Sequence, residues 1–103
     1  MLRKIYIWFP EDKYRGRLIG PGGQNISTIE YITGVDVQPR EDHWVIVHET
    51  ENSDAEMASH IIWTLFKDGV INPLRIIKLA DKYRRDQDSV GLFDHLELGG
   101  EDE

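Results

Sequence analysis

The sequence predicts a single α+β domain, a three-stranded sheet with helices packed on one face. Two observations favour this class. Segments that alternate apolar and polar residues, typical of strands, are interleaved with segments whose apolar residues recur about every three to four positions, typical of helices. The predicted order is strand, helix, helix, strand, strand, helix, plus an extra C-terminal helix, an order that builds two layers. A chain of 103 residues is long enough for one modest core.

The first half of the chain predicts one strand and two helices. Strict alternation predicts a strand over residues 4–9. The apolar spacing then predicts a short helix over residues 11–19 and a second helix over residues 24–33. Gly34 follows the second helix, where a left-handed helix end is common.

The second half predicts a hairpin and two longer helices. Residues 35–39 and 43–49 read as strands joined by a polar turn. The segment SDAE, residues 53–56, has the pattern of a capping box and predicts the start of the third helix. Asn72 and Pro73 predict the cap and the first turn of the last helix.

One face of this sheet is predicted to lack a covering helix. Tyr6 and Trp8 alternate away from the apolar side of the first strand, and they are joined there by either Trp44 or Val45, depending on register. Such a face is more often half-buried, or covered by a tail or by a second copy of the chain, than it is a ligand site.

The net charge of −7 is unevenly distributed. Residues 1–85 hold 12 lysines and arginines and 12 acids, while residues 86–103 hold seven acids and no lysine or arginine. We therefore predict a folded domain over 1–85 and an acidic, mobile tail over 86–103. The chain has no cysteine and no apolar run long enough to cross a bilayer, so we expect a cytoplasmic protein without a membrane partner.

The segment RLIGPGGQNI, residues 17–26, lies between the first two helices. Glycines there can simply form a tight corner, because glycine adopts positive φ without strain. Three glycines in four positions, flanked by isoleucines, indicate instead that a ligand approaches the backbone closely. The second helix opens from this loop, and the start of a helix favours a phosphate group.

IGPGGQNI resembles the Ile-Gly-x-x-Gly-x-x-Ile signature of K-homology (KH) domains, and the predicted order of elements is that of the type I KH fold. The longer segments RGRLIGPGGQNISTIEYITGVDV and DGVINPLRIIKLADKYR are similar to the KH module of the bacterial ribonuclease Y family. The resemblance covers roughly residues 4–85. It implies a module that binds single-stranded RNA, with DNA as the alternative, and whose loop clamps the nucleic-acid backbone.

The resemblance also implies the binding residues. Residues 20–23 would contact sugar and phosphate, with Ile19, Ile26 and Val37 as the floor of a groove for bases. Backbone groups near Val37 and Gln38 would read base edges, and nearby cations, among them Lys13 and Arg15, would form a positive rim. The full predicted site consists of Arg17, Ile19, Gly20, Pro21, Gly22, Gly23, Gln24, Asn25, Ile26, Val37, Gln38 and Arg40.

The loop departs from the family pattern at its two variable positions. KH loops usually carry a lysine or arginine there, and this chain has Pro21 and Gly22. Proline lacks an amide donor and glycine adds no charge, so the loop has only backbone amides and the helix dipole to offer. Weak binding is therefore expected.

No arrangement of residues predicts an enzyme. The four histidines do not stand at metal-site spacing with a carboxylate, and the loop lacks the Lys-Ser/Thr ending of a nucleotide-triphosphate site. We expect no catalytic residue, metal or cofactor. The alternative to nucleic-acid binding is a scaffold module that self-associates or binds a protein partner. A subsidiary hypothesis is that the acidic tail competes with nucleic acid for the basic rim.

Overall fold

The computed structural model describes the backbone of residues 2–100 and the side chains of residues 2–87. Its order of elements agrees with the prediction and with the type I KH arrangement, with one further helix at the C-terminal end. The elements are β1 (Lys4–Trp8), α1 (Lys13–Ile19), a 3-10 turn (Pro21–Gly23), α2 (Gln24–Thr33), β2 (Asp36–Pro39), β3 (Trp44–His48), α3 (Ala55–Asp68) and α4 (Pro73–Gly100).

The three strands form one antiparallel sheet in the order β1-β3-β2. The hairpin predicted for the second and third strands is present, with Val37 paired to Val47. On the other side of β3, Ile7 pairs with Val45. These four side chains are buried on the same face, against the helices, and β2 lies at an edge of the sheet.

The opposite sheet face carries exposed aromatic side chains. The strand register places Trp44, and not Val45, on this face: Trp44 is 38% exposed, whereas Val45 faces the core and is 0% exposed. Trp8 pairs directly with Trp44, and Tyr6 meets the Trp44 ring edge-on at a centroid distance of 6.2 Å. Tyr6 and Trp8 are 53% and 56% exposed.

The helical layer and the inner sheet face enclose a single core. Helix α3 contributes the largest share, because its apolar residues recur at helical spacing along one side. Residues from α1, α2 and α4 complete the core. The largest fully buried side chains are Phe9, Leu18, Ile29, Ile61, Ile62, Leu65, Ile76, Val35, Val45 and Val47.

The capping box predicted for α3 is wrong in its detail. Asp54, not Ser53, is the N-cap, and its Oδ1 accepts the Met57 N–H at 3.0 Å. The Ser53 hydroxyl instead bonds both the N–H and the carbonyl of Thr50, in the turn that leads into the helix. Two adjacent residues could each cap a helix here, and the path of the preceding turn decides between them.

Helix α4 begins as predicted, since Asn72 Oδ1 accepts the Arg75 N–H at 2.8 Å. Its backbone continues past the proposed domain boundary at residue 85 to Gly100. The proposed acidic tail, residues 86–103, lies largely outside the described side chains, and its mobility stays a prediction. None of the helices in the described part of the chain combines the length and apolar character needed to cross a bilayer.

Candidate nucleic-acid interface

The glycine loop has a backbone that residues with a side chain rarely adopt. Gly20, Gly22 and Gly23 all have positive φ, at 76°, 61° and 76°. Gly20 combines its φ with a ψ of 170°, a region that essentially only glycine occupies. Pro21 and Gly22 are exposed at the tip. The loop is therefore open to a ligand.

Most loop amides are already engaged inside the protein. The Gly20 N–H donates to the Gly16 carbonyl at 2.9 Å, and the Gly23 N–H donates to the Gly20 carbonyl at 3.0 Å. The Gln24 N–H donates to the carbonyl of Pro21, which itself has no N–H. Among the hydrogen bonds of the described residues, none engages the Gly22 N–H. Within residues 20–24 the Gly22 N–H, beside the positive end of the α2 dipole, therefore remains available to a ligand.

Asn25 lies beneath the loop and holds it in place. The side chain is 2% exposed, and its Nδ2 donates to the Arg17 carbonyl at 2.8 Å. A Cβ at Gly20 would stand 2.6 Å from Asn25 Nδ2. The structure thus places Asn25 inside the site as a support for the turn between α1 and α2, whereas the adjacent Gln24 is exposed.

The apolar residues predicted as the groove floor differ in accessibility. Ile19 and Ile26 are half-buried beside the loop. Val37 is only 8% exposed, and its side chain belongs to the core. Ile19 and Ile26 therefore offer apolar surface that a ligand can reach, whereas the Val37 side chain does not.

The predicted positive rim is weakened by neighbouring acids. Arg40 forms a bidentate pair with Asp42, with its shortest contact at 2.6 Å. Lys13 Nζ lies 3.2 Å from Glu11. Within the described side chains Arg17 has no ion pair, and its guanidinium lies 6.0 Å from the Tyr14 ring centroid. Arg15 also has no ion pair among the described side chains, but it is half-buried and its Nε is inaccessible. Arg17 is exposed and is therefore the rim cation more accessible to a phosphate.

Glu30 is a residue at the site that sequence reasoning missed. Its Oε2 accepts the Val37 N–H at 2.8 Å, joining α2 to the edge strand β2. Gln38, which was predicted to help read base edges, is exposed and bonds His48 Nε2 through its Oε1 at 2.8 Å. The sequence could have indicated Glu30 through its spacing, because it follows Ile26 by four residues and the two therefore lie on one face of α2.

His43 ties the β2–β3 loop to the start of α1. It has a positive φ of 71°, its ring stacks on Phe9 at 5.4 Å, and its Nδ1 lies 3.1 Å from the Phe9 carbonyl. Its Nε2 lies 2.9 Å from Asp12. His48 and His60 contact Gln38 and the Tyr83 ring, and the side chain of His95 lies outside the described residues. These contacts give His43 a structural role where the β2–β3 loop meets the end of β1 and the start of α1.

The chain matches known proteins in two comparisons. The model of the KH domain family matches residues 4–61. The chain is 36% identical over 83 residues to Ribonuclease Y of Streptococcus agalactiae serotype III (strain NEM316), and 36% identical over 84 residues to Ribonuclease Y of Streptococcus pyogenes serotype M1. These alignments cover 80% and 81% of this chain but only 16% of each relative. No solved structure matches the chain.

Proposed function

This chain belongs to the KH domain family, and from that premise we propose that it binds single-stranded RNA, with residues 20–23 against the sugar-phosphate backbone. The observation that carries the proposal is the exposed glycine loop at the start of α2. KH domains use such a loop to clamp about four nucleotides. The relatives named Ribonuclease Y support RNA over DNA as the ligand.

The phosphate would be held by few groups. The Gly22 N–H donates one hydrogen bond, the N-terminal end of α2 adds its dipole, and Arg17 adds one positive charge. A charge-assisted hydrogen bond contributes about 1.5–3 kcal/mol and a helix dipole about 0.3–1 kcal/mol. So small a set predicts weak binding that depends on apolar contact with Ile19 and Ile26.

A titration with a short single-stranded oligonucleotide tests the proposal. Amide resonances of Gly20 and of residues 22–26 should shift in two-dimensional NMR spectra, and those of residues 67–70, in another exposed glycine turn, should not. The logarithm of the binding constant should fall linearly with the logarithm of salt concentration, with a slope of about −0.7 per neutralised phosphate. Arg17→Ala should reduce that slope, whereas Arg85→Ala, an exposed arginine on α4, is the matched control. Unmoved loop amides at saturating oligonucleotide would refute the proposal.

We propose that this chain supplies binding and not catalysis. It spans only 16% of the length of the relatives named Ribonuclease Y. Among its described side chains, no group of three histidine or acidic residues is placed to hold a metal ion. Incubation with labelled RNA and divalent metal should leave the RNA intact, and cleavage that survives purification to homogeneity would contradict this assignment.

A scaffold function is the second candidate, and the aromatic sheet face favours it. Tyr6, Trp8 and Trp44 form a row that nothing in the described structure covers. If this face mediates self-association, the chain should sediment as a dimer and Trp8→Glu should return it to a monomer. A wild-type monomer across the accessible concentration range would exclude self-association through this face.

A further inference from the structure

A cleft lies beside the end of β1, and two tryptophans from different layers of the domain line it. Trp8 comes from the outer face of the sheet and Trp63 from α3, and the two are 56% and 55% exposed. Pro10, Phe66 and Lys67 complete the lining, and the volume is about 270 Å³. We call this space the tryptophan cleft. None of its lining residues belongs to the glycine loop or to the groove predicted beside that loop.

The tryptophan cleft offers flat apolar rings to a ligand. Among the aromatic pairs of the described residues, none joins Trp8 to Trp63, so the two indoles do not cover each other. Pro10 in the lining is exposed as well. The volume lies just below the range of small-molecule sites, about 300–1,000 Å³. The cleft therefore suits one or two compact apolar side chains better than a helix or a large cofactor.

One positive charge borders these rings. Lys67 Nζ lies 4.8 Å from the centroid of the Trp63 ring, and Lys67 is the charged residue among the described side chains of the lining. The ion pairs of the described side chains do not include Lys67. The neighbouring Asp68 pairs instead with Arg75. The cleft is therefore complementary to an apolar ligand that carries a negative charge beside its apolar part.

A proline-rich peptide has these properties when it also carries an acidic residue. Such a peptide adopts the polyproline II helix, which has three residues per turn and no internal hydrogen bonds. Because this helix is formed before binding, little conformational entropy is lost when it docks in a groove lined by aromatic rings. A proline ring is compact enough for the cleft and packs flat against an indole. An acidic residue next to the prolines would lie close to Lys67.

We propose that the tryptophan cleft binds a proline-rich segment of another protein, with a proline against the two indoles and a neighbouring carboxylate on Lys67. The cleft shares no residue with the glycine loop. The proposal therefore goes beyond RNA binding and does not depend on it.

RNA suits the charges around the cleft less well. A single strand needs several cations along its backbone in addition to rings on which bases stack. On the adjoining surface between α3 and α4, Arg75 is paired with Asp68. Lys82 on the same surface is paired with Asp86. The single unpaired charge of Lys67 matches one carboxylate better than a chain of phosphates.

A second copy of the chain is also a poor occupant. In a symmetric dimer the same patch meets itself, so two Lys67 side chains would enter an interface whose described lining contains no acid. The chain has four prolines, and at least 11 positions separate any two of them. It therefore contains no proline-rich segment of its own that could fill the cleft of a neighbour.

The test uses the end-blocked hexapeptide Glu-Pro-Pro-Pro-Pro-Glu, which carries a carboxylate on each side of its prolines and so can bind in either direction. Its addition to the full chain should shift the indole N–H resonances of Trp8 and Trp63 in a saturable way, while that of Trp44, outside the lining, shifts least. The peptide Glu-Ala-Ala-Ala-Ala-Glu has the same charge without prolines and should leave these resonances in place. Trp63→Ala should abolish the saturable shift of Trp8, whereas Tyr31→Ala, which removes an exposed ring from α2, should not.

A charge-reversed peptide, Lys-Pro-Pro-Pro-Pro-Lys, tests the role of Lys67. The wild-type chain should bind the Glu peptide about fivefold more tightly than the Lys peptide, at the upper end of what an exposed ion pair contributes. Lys67→Glu should reverse this preference. Lys78→Glu makes the same change of net charge at an exposed position on α4 and should not reverse it. Thermal midpoints close to the wild-type value show that the variants are folded.

The outcomes separate this proposal from RNA binding at the loop. If the Glu and Ala peptides shift the indoles equally, or if Lys67→Glu leaves the preference unchanged, the proposal is refuted while RNA binding at the loop stands. Indole shifts caused by a single-stranded oligonucleotide and not by the Glu peptide would identify the cleft as a nucleic-acid contact and overturn the proposal. Shifts that depend on protein concentration alone would identify an interface between copies and overturn it as well. Saturable peptide binding with unmoved loop amides in the oligonucleotide titration would leave this proposal standing and refute the other.

Discussion

Replacing Gly20 by alanine should destabilise the chain more than the same change at any other glycine of the loop. Gly20 has φ 76° and ψ 170°, a conformation that costs a non-glycine residue about 1–3 kcal/mol. The new Cβ would also lie 2.6 Å from Asn25 Nδ2 and 3.2 Å from its backbone nitrogen. Overpacking of this kind costs about 1–3 kcal/mol. The free energy of unfolding should fall by about 2–6 kcal/mol.

Two other glycines supply matched controls in the same region. At Gly22 an added Cβ meets no atom within 4 Å, so Gly22→Ala carries only the backbone strain of its positive φ, about 1–2 kcal/mol. At Gly16, inside α1, an added Cβ is equally free and φ is not positive. Gly16→Ala should therefore stabilise by up to about 1 kcal/mol.

Urea unfolding followed by tryptophan fluorescence measures all three variants. The expected order of stability is Gly16→Ala, wild type, Gly22→Ala and Gly20→Ala. A double variant with Asn25→Ala should lose less than the sum of the single losses, because removing the Asn25 side chain relieves the clash. A Gly20→Ala chain no less stable than Gly22→Ala would refute the packing that we ascribe to Asn25.

Three further predictions concern binding, capping and pH. Gly22→Asp should weaken RNA binding at least about tenfold, because the new carboxylate repels phosphate. Gly69→Asp is the control, since Gly69 has a similar φ and also lies in open space, and it should leave the affinity unchanged. Equal effects of the two variants on affinity, measured by anisotropy, would place the binding surface elsewhere. Asp54→Ala removes the α3 N-cap and should cost about 1 kcal/mol in urea unfolding, and no loss would contradict that cap. The side-chain hydrogen bond from Arg3, then its backbone bond, lowers the pKa of Glu49. The ionised Glu49 side chain therefore stabilises the fold above its unfolded-state pKa, and this stabilisation is lost as pH falls through the lower folded-state pKa. In Glu49→Gln the free energy of unfolding should decrease less steeply with falling pH below about pH 4.5. An unchanged pH dependence would argue against the ion pair.

Local pattern alone determined which segments form helices and strands. The bounds of α2, residues 24–33, agree with the prediction, because Gly23 and Gly34 flank a segment whose apolar residues recur at helical spacing. Asn72 and Pro73 predicted the start of α4 correctly. Signals of this kind lie within a few residues of the structure that they specify, so they can be recognised in the sequence. The glycine loop between the first two helices could likewise be predicted from the sequence.

Tertiary structure decided the chemistry of the site. Whether a loop amide is free depends on which carbonyl the backbone brings near it, and the sequence does not encode that partner locally. The contact between Glu30 and Val37 joins an α-helix to an edge strand and exists only once the sheet is assembled. The strand register likewise placed Trp44 outward and Val45 inward, since a shift of one residue reverses every side chain of a strand. Sequence alone thus identified the elements and the loop, and packing alone set which polar groups remain available to a ligand.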